Sequence, residues 1–167
     1  LPIFRRLGAK QGEGAALGNL GNAYVALSDT PNAIQYYEQA LAIARDVGDR
    51  RNEGSWLCNL GSACVTLGDA RKAIKYCEHA LAITRMIGDR RGEGAVLGNL
   101  GLAYACLSDA RKAIEHYEQA LVIMRKIGDR MGEGNALGNL GRAYASLGEM
   151  DRAIEYAKSA LAIFEQI

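Results

Sequence analysis

Shifted by forty residues, the chain superimposes on itself. Gly21, Gly61, Gly101 and Gly141 coincide, as do Ala33, Ala73, Ala113 and Ala153, then Leu41, Leu81, Leu121 and Leu161, with no insertion anywhere. A fixed period of this size specifies stacked helical hairpins, because one hairpin cannot bury its apolar face alone and must lay it on the next. The same rule accounts for 20 Gly beside 2 Pro in 167 residues, a balance that otherwise signals disorder. The copies span 9–48, 49–88, 89–128 and 129–167. Residues 1–8, LPIFRRLG, align with the LAIARDVG of residues 41–48 and are expected to end the second helix of a preceding repeat. The last residues, LAIFEQI, stop where other copies continue into Gly-Asp-Arg, so the chain is expected to be a piece of a longer array.

Each copy divides at LSDTP, LGDAR, LSDAR or LGEMD. Gly68 and Gly148 suit helix C-caps, and Asp29, Asp69 and Asp109 suit the N-caps that follow. Pro31 sits just inside a second helix, where a missing N–H is harmless. The junctions Gly48-Asp49, Gly88-Asp89 and Gly128-Asp129 repeat this stop-then-start logic. First helices are therefore predicted near 10–27, 50–67, 90–107 and 130–147, and second helices near 31–47, 70–87, 110–127 and 150–167.

Charge excludes some functions. Lys and Arg total 20 against 19 Asp and Glu, a net charge of +1, and no segment gathers enough cations to track a phosphate backbone. Nucleic acid is not an expected partner. Nor is a membrane, since no stretch approaches the roughly 18 apolar residues a spanning helix needs. Cys58, Cys64, Cys77 and Cys106 follow no metal-ligand spacing and read as thiols in a reducing compartment, so a cytoplasmic location is expected.

The first helices carry Leu17, Leu20, Gly21 and Tyr24 as L-x-x-L-G-x-x-Y, and the second carry Ala33, Tyr37 and Ala40 as A-x-x-x-Y-x-x-A. This pattern resembles the tetratricopeptide repeat over the whole chain. Leu replaces the usual leading Trp, Arg45, Arg85 and Arg125 stand where a proline is usual, and each copy is six residues longer than the common form. The forty-residue form, with GDR-x-x-E-G and N-L-G-N, is similar to cell-polarity adaptors of the Pins type. It is also similar to regulatory arrays of bacterial and archaeal signalling proteins and, more distantly, to kinesin light chains. The resemblance implies an all-α, right-handed α-solenoid of helix-turn-helix hairpins whose first helices line a concave face.

Around a helix at ~100° per residue, Leu17, Leu20, Gly21, Tyr24 and Leu27 fall on one side of the first helix. Ala15, Gly18, Asn19, Asn22, Val25 and Ala26 fall on the other. This second set comprises six positions in each of four copies and holds a single charge, Arg142. Asn19, Asn59, Asn99 and Asn139 recur once per copy, and an amide so placed offers a donor and an acceptor to an extended backbone. Asn22 and its equivalents Ser62, Leu102 and Arg142 differ, which suits selection of side chains. In the polarity adaptors, asparagines at matching places grip an elongated partner. The competing reading is that these amides only tie neighbouring helices together. Arg50, Arg51, Arg90, Arg91 and Arg130 open the first helices and are candidate contacts for acidic ligand residues, or else surface ion pairs with Asp and Glu. Lysines that hold a carboxylate in co-chaperone members are replaced here by Gly18, Cys58, Gly98 and Gly138, which argues against capture of a chaperone C-terminus.

No catalytic residue, cofactor or metal is expected. GEGAALG, GEGAVLG and GEGNALG follow helices rather than strands and lack the spacing of a dinucleotide loop. His79 and His116 have no nucleophile placed to use them. Copy 2 is irregular, with Cys64 and Cys77 in the places of Tyr24 and Tyr37, rings that the resemblance sets facing each other inside the hairpin. Trp56 is expected to fill part of that hole, with an intra-repeat disulfide as the alternative. Cys58 and Cys106 fall on the groove side and are expected to react with alkylating reagents. The last helix carries Ile154, Ala157, Leu161 and Phe164 in the core pattern, so end-to-end self-association is an expected alternative use of the chain. A sensor array serving an enzymatic domain outside the sequence is a third.

Overall fold

The computed structural model describes residues 2–167, with side chains from Gly8 onward. Eight helices follow in order: α1 (Pro2–Ala26), α2 (Thr30–Asp46), α3 (Arg50–Thr66), α4 (Ala70–Met86), α5 (Arg90–Cys106), α6 (Ala110–Ile127), α7 (Arg130–Ser146) and α8 (Met150–Phe164). No strand occurs among the described residues, and the architecture is an all-α helical-repeat solenoid. The helices group into two compact units, Leu1–Ile87 and Gly88–Ile167.

The boundaries follow the caps. Asp29, Asp49, Asp69, Asp89, Asp109 and Asp129 each accept a hydrogen bond from the backbone N–H three residues on, occupying one of the N–H groups a helix start leaves unpaired. Glu149 makes no such bond. The turns pass through the left-handed region at Gly48, Gly68, Gly88, Gly128 and Gly148, with φ of +70° to +80°, and at Ser28 and Ser108 near +60° in the two LSD turns. The expected break after residue 8 does not occur, since α1 runs on from Pro2. Where other junctions read Gly-Asp-Arg this one reads Gly8-Ala9-Lys10, and without the capping Asp nothing stops the helix.

Within each hairpin the helices meet at a glycine. A Cβ on Gly21 would lie 2.5 Å from the Tyr37 ring, on Gly61 2.4 Å from Cys77 Sγ, and on Gly101 2.4 Å from the Tyr117 ring. The residue at 37, 77 and 117 therefore packs directly over the first helix, and the ring at 24 finds another partner. Tyr24 stacks on Tyr36 at 5.2 Å, Tyr104 on His116 at 5.3 Å and Tyr144 on Tyr156 at 5.3 Å. The expected facing of Tyr24 and Tyr37 is thus corrected by one residue in α2. In unit 2, Tyr117, Leu121, Leu137, Leu140, Tyr144 and Ile163 are buried in one cluster. In unit 1, Tyr37, Leu41, Trp56, Leu57, Leu60, Cys64 and Cys77 are buried.

Two further expectations fail on the same geometry. Leu20 and Leu27, assigned to the packed side, are 45% and 75% exposed, Leu27 because it follows the last helical turn, and Leu67, Leu107 and Leu147 are exposed likewise. Trp56 does not fill the space left by the two cysteines. Its ring lies against Gly18 of α1 and stacks on Tyr37 at 6.0 Å, so it packs copy 2 onto copy 1 rather than closing its own hairpin. Cys64 and Cys77 are buried thiols, not a disulfide. Burial pushes both thiols up, Cys77 far above the usual range.

Candidate functional site

Along α3, the residues turned toward α4 and α1 are buried, while Ser55, Cys58, Asn59, Ser62, Val65 and Thr66 keep access to solvent. The same split recurs on α5 and α7, where Ala95, Gly98, Asn99, Leu102, Ala105 and Cys106, then Asn135, Gly138, Asn139, Arg142, Ala145 and Ser146, stay accessible. On α1 the matching residues Asn19, Asn22, Val25 and Ala26 are exposed and Ala15 is half-buried, while Gly18 is covered by Trp56. The face marked out by the repeat pattern is therefore open in both units, and its small side chains leave recesses.

In unit 1 a recess of about 490 Å³ lies between α1 and α3, lined by Asn22, Val25, Tyr37, Asn59, Ser62 and Thr66 among others. Its amides are already engaged with one another. Tyr37 donates its hydroxyl proton to Asn22 Oδ1 at 2.7 Å, and Asn59 Nδ2 donates to the same oxygen at 3.3 Å. Asn22 thereby ties the two copies together, while its own NH₂ and the Asn59 carbonyl oxygen keep hydrogen-bonding capacity. Burial raises the Tyr37 phenol above its ordinary value, which suits its role as a neutral donor at the base of the recess.

Unit 2 has two recesses between α5 and α7. One, of about 530 Å³, is lined by Leu102, Cys106, Tyr117, Asn139, Arg142 and Leu147 among others. The other, of about 670 Å³, holds Gly98, Asn99, Leu102, Met124, Asn135 and Asn139. Leu102 stands where Asn22 stands in unit 1, so Tyr117 lacks the amide acceptor that Tyr37 has. Burial pushes the Tyr117 phenol up to about 12, against the opposing pull of the nearby Arg142 charge. Arg142 donates to Asn139 Oδ1, which fixes the guanidinium beside the amide row.

The arginines that open the first helices are mostly committed elsewhere. Glu53 is 5% exposed and accepts from Arg50 Nη1 at 2.6 Å and from Arg45 Nε at 3.0 Å. Glu133, 7% exposed, accepts from Arg130 Nη1 at 2.6 Å and Arg125 Nε at 2.9 Å. Arg130 also reaches Gln166 Oε1 at 3.0 Å. Arg90 pairs with Glu93, and Arg91 with Asp129 at 2.9 Å. The candidate acidic-ligand contacts Arg50, Arg90, Arg91 and Arg130 are therefore engaged in intrachain pairs, and Arg51 is exposed.

This clasp was not legible as a unit in the sequence. The signal was present in the Arg at 45 and 125, in the place of the usual proline, eight residues before a Glu. Burial opposes ionisation of Glu53, but the guanidinium hydrogen bonds from Arg45 and Arg50 outweigh it and hold the carboxyl below its usual range. Asp129 is likewise lowered, first by the Gly132 N–H that it caps and then, against some desolvation, by Arg91. Among the described residues, no group of three or more His, Cys, Asp or Glu is placed to hold a metal ion. His79 is exposed, and His116 is half-buried in its stack on Tyr104. No helix among the described residues is long and apolar enough to cross a membrane.

Comparison with known proteins agrees with the fold. The family model of the tetratricopeptide repeat matches three overlapping stretches, residues 12–86, 52–126 and 92–166. No curated protein matches the chain. Among solved structures, BtubC from P. vanneervenii is 22% identical, with a TM-score of 0.81 over 92% of this chain and 63% of its own. Aspartyl phosphate phosphatase F from Bacillus subtilis is 17% identical, with a TM-score of 0.86 over 94% of this chain and 41% of its own. A signal transduction ATPase with numerous domains from Pyrococcus horikoshii, which carries a tetratricopeptide repeat sensor, is 25% identical. Its TM-score is 0.79 over 93% of this chain and 24% of its own. The chain thus spans less than two thirds of each.

Proposed function

The chain belongs to the tetratricopeptide repeat family, and from that premise we propose that it is a protein-interaction module without catalytic activity, binding an extended peptide segment along the open faces of its first helices. The observation that carries this reading is the accessibility of that face. Twenty-four positions with one charge remain open to solvent or half-open, apart from the glycine under Trp56, and on α3, α5 and α7 they stand opposite a buried face. A face that served solubility alone would carry Lys and Glu, as the second helices do with Arg71, Lys72, Lys75 and Glu78. Side-chain amides at Asn19, Asn59, Asn99 and Asn139 offer donors and acceptors to a partner's main chain, while Ser62, Leu102 and Arg142 distinguish side chains. Peptide-display selection tests the reading, run beside a variant with all four asparagines changed to Ala and matched in helicity and melting. Wild type should enrich a motif that the variant loses. The same motif from both, or none from either, would assign the amides to stacking alone.

A second reading, end-to-end association, is favoured by one observation. Ile154, Leu161 and Phe164 on α8 are 53%, 58% and 41% exposed, whereas their equivalents Ile114, Leu121 and Met124 on α6 are buried against α7. Sedimentation over a hundredfold range of concentration separates the two readings, since the peptide module needs no change in size.

A further inference from the structure

Two recesses occupy equivalent places in their units, eighty residues apart in sequence, and differ in size. In unit 1 the walls include Gly14, Ala15, Ala40, Asp49 and Trp56, and the space left is about 10 Å³. In unit 2 the same walls are Gly94, Ala95, Ala120, Asp129 and Ala136, and the space is about 670 Å³. The largest side chain lost between the two is the indole, and Asn52 is also replaced, by Gly132. Trp56 lies against Gly18, where a Cβ would come within 2.1 Å of the ring, and stacks on Tyr37. Ala136 stands in its place in unit 2, and a Cβ added to Gly98, the counterpart of Gly18, meets nothing within 4 Å. Tyr117 is the counterpart of Tyr37.

We infer that the unit 2 recess receives an aromatic side chain, an indole or phenyl ring, from the partner's extended segment, seated as Trp56 seats itself in unit 1. This inference rests on the peptide-binding reading above and names the anchor that reading lacks. Charge points to the same occupant. The two charged residues lining the recess, Arg91 and Asp129, are paired with each other at 2.9 Å, so a neutral ring fits where an acid or base would find no unpaired opposite charge. Asn99, Asn135 and Asn139 also line the recess and can hold the main chain on which the ring is carried. Met124 replaces Ala44 and takes up some of the space, its thioether lying against Gly94 and Gly132. A flexible methionine can move to accommodate a ring and contact its edge.

The test is selection from a random-peptide display library on the full chain, on Ala136→Trp, and on Met124→Ala/Ala136→Trp, which copies Ala44 and Trp56 of unit 1. Wild type should enrich peptides with an aromatic residue at one fixed register. Replacing that residue by Ala in a synthetic peptide should weaken binding by about tenfold to a hundredfold. The double variant should keep its helicity and melting while losing the aromatic preference, and Ala136→Leu, which asks less of the fold, should lower it in part. If the enriched peptides carry no aromatic at a fixed register, or if the filled variants retain the preference, the inference falls and the peptide reading stands. If wild type enriches nothing, both fall.

Discussion

Gly18 and Gly98 occupy the same place in the repeat, yet the same substitution should move stability in opposite directions. A Cβ on Gly18 would lie 2.1, 2.2 and 2.6 Å from three carbons of the Trp56 six-membered ring. That ring is 8% exposed and backed by Tyr37, so it cannot retreat without disturbing the α1 to α3 packing. Overfilling a packed site costs about 1–3 kcal/mol, against about 0.5–1 kcal/mol gained when Ala replaces Gly inside a helix. Gly18→Ala should therefore destabilise by about 1–2 kcal/mol. Gly98→Ala meets nothing within 4 Å and should stabilise by about 0.5–1 kcal/mol. The sister variants should differ by about 2–3 kcal/mol, a separation of roughly 5–10 °C in Tm for a chain of this size. Thermal and urea midpoints by circular dichroism give the comparison, because repeat arrays need not unfold in one step. In a Trp56→Ala background the penalty at Gly18 should vanish, since the two residues share one space. Equal midpoints for the two variants, or a Gly18 penalty that survives removal of the indole, would refute the packing account.

Two other expectations follow from the clasp and the thiols. The Glu53 carboxyl is held below its ordinary value, so the clasp stabilises fully above the unfolded carboxylate range and is lost as pH falls through the lowered value. Glu53→Gln should cost about 1–2 kcal/mol at neutral pH, discounted for the half-exposed arginines, and should flatten the acid side of the stability profile; an unchanged acid limb would assign the dependence to other carboxylates. Cys106 is exposed and Cys58 half-buried, whereas Cys64 and Cys77 are buried with raised values. Iodoacetamide followed by mass spectrometry should label Cys106 and Cys58 in the folded chain and reach the other two on unfolding, and early labelling of Cys77 would contradict the hairpin register.

What the sequence determined alone is what one helix or one turn decides. Asp at 29, 49, 69, 89, 109 and 129 caps the helix that follows by accepting from the backbone N–H three residues on, and the glycine or serine before each takes the left-handed turn. Such contacts are local, so the forty-residue period, the helix boundaries and the open face of the first helices could all be read from spacing. Even the failed break after Gly8 lies at this level, in the missing Asp. The tertiary structure decided which side chains meet between helices. Tyr36 and Tyr37 are neighbours in sequence but point about 100° apart, and only the crossing of α1 and α2 at Gly21 assigns one to Tyr24 and the other to the hairpin interior. Trp56 could have turned toward its own hairpin, and stacking of α3 on α1 sent it to Gly18 instead. Arg45 and Glu53 belong to different helices and become partners when α2 and α3 pack. Periodicity fixes the direction of a side chain on its own helix, whereas its partner depends on the register and crossing angle of a second helix, which close packing of both surfaces selects.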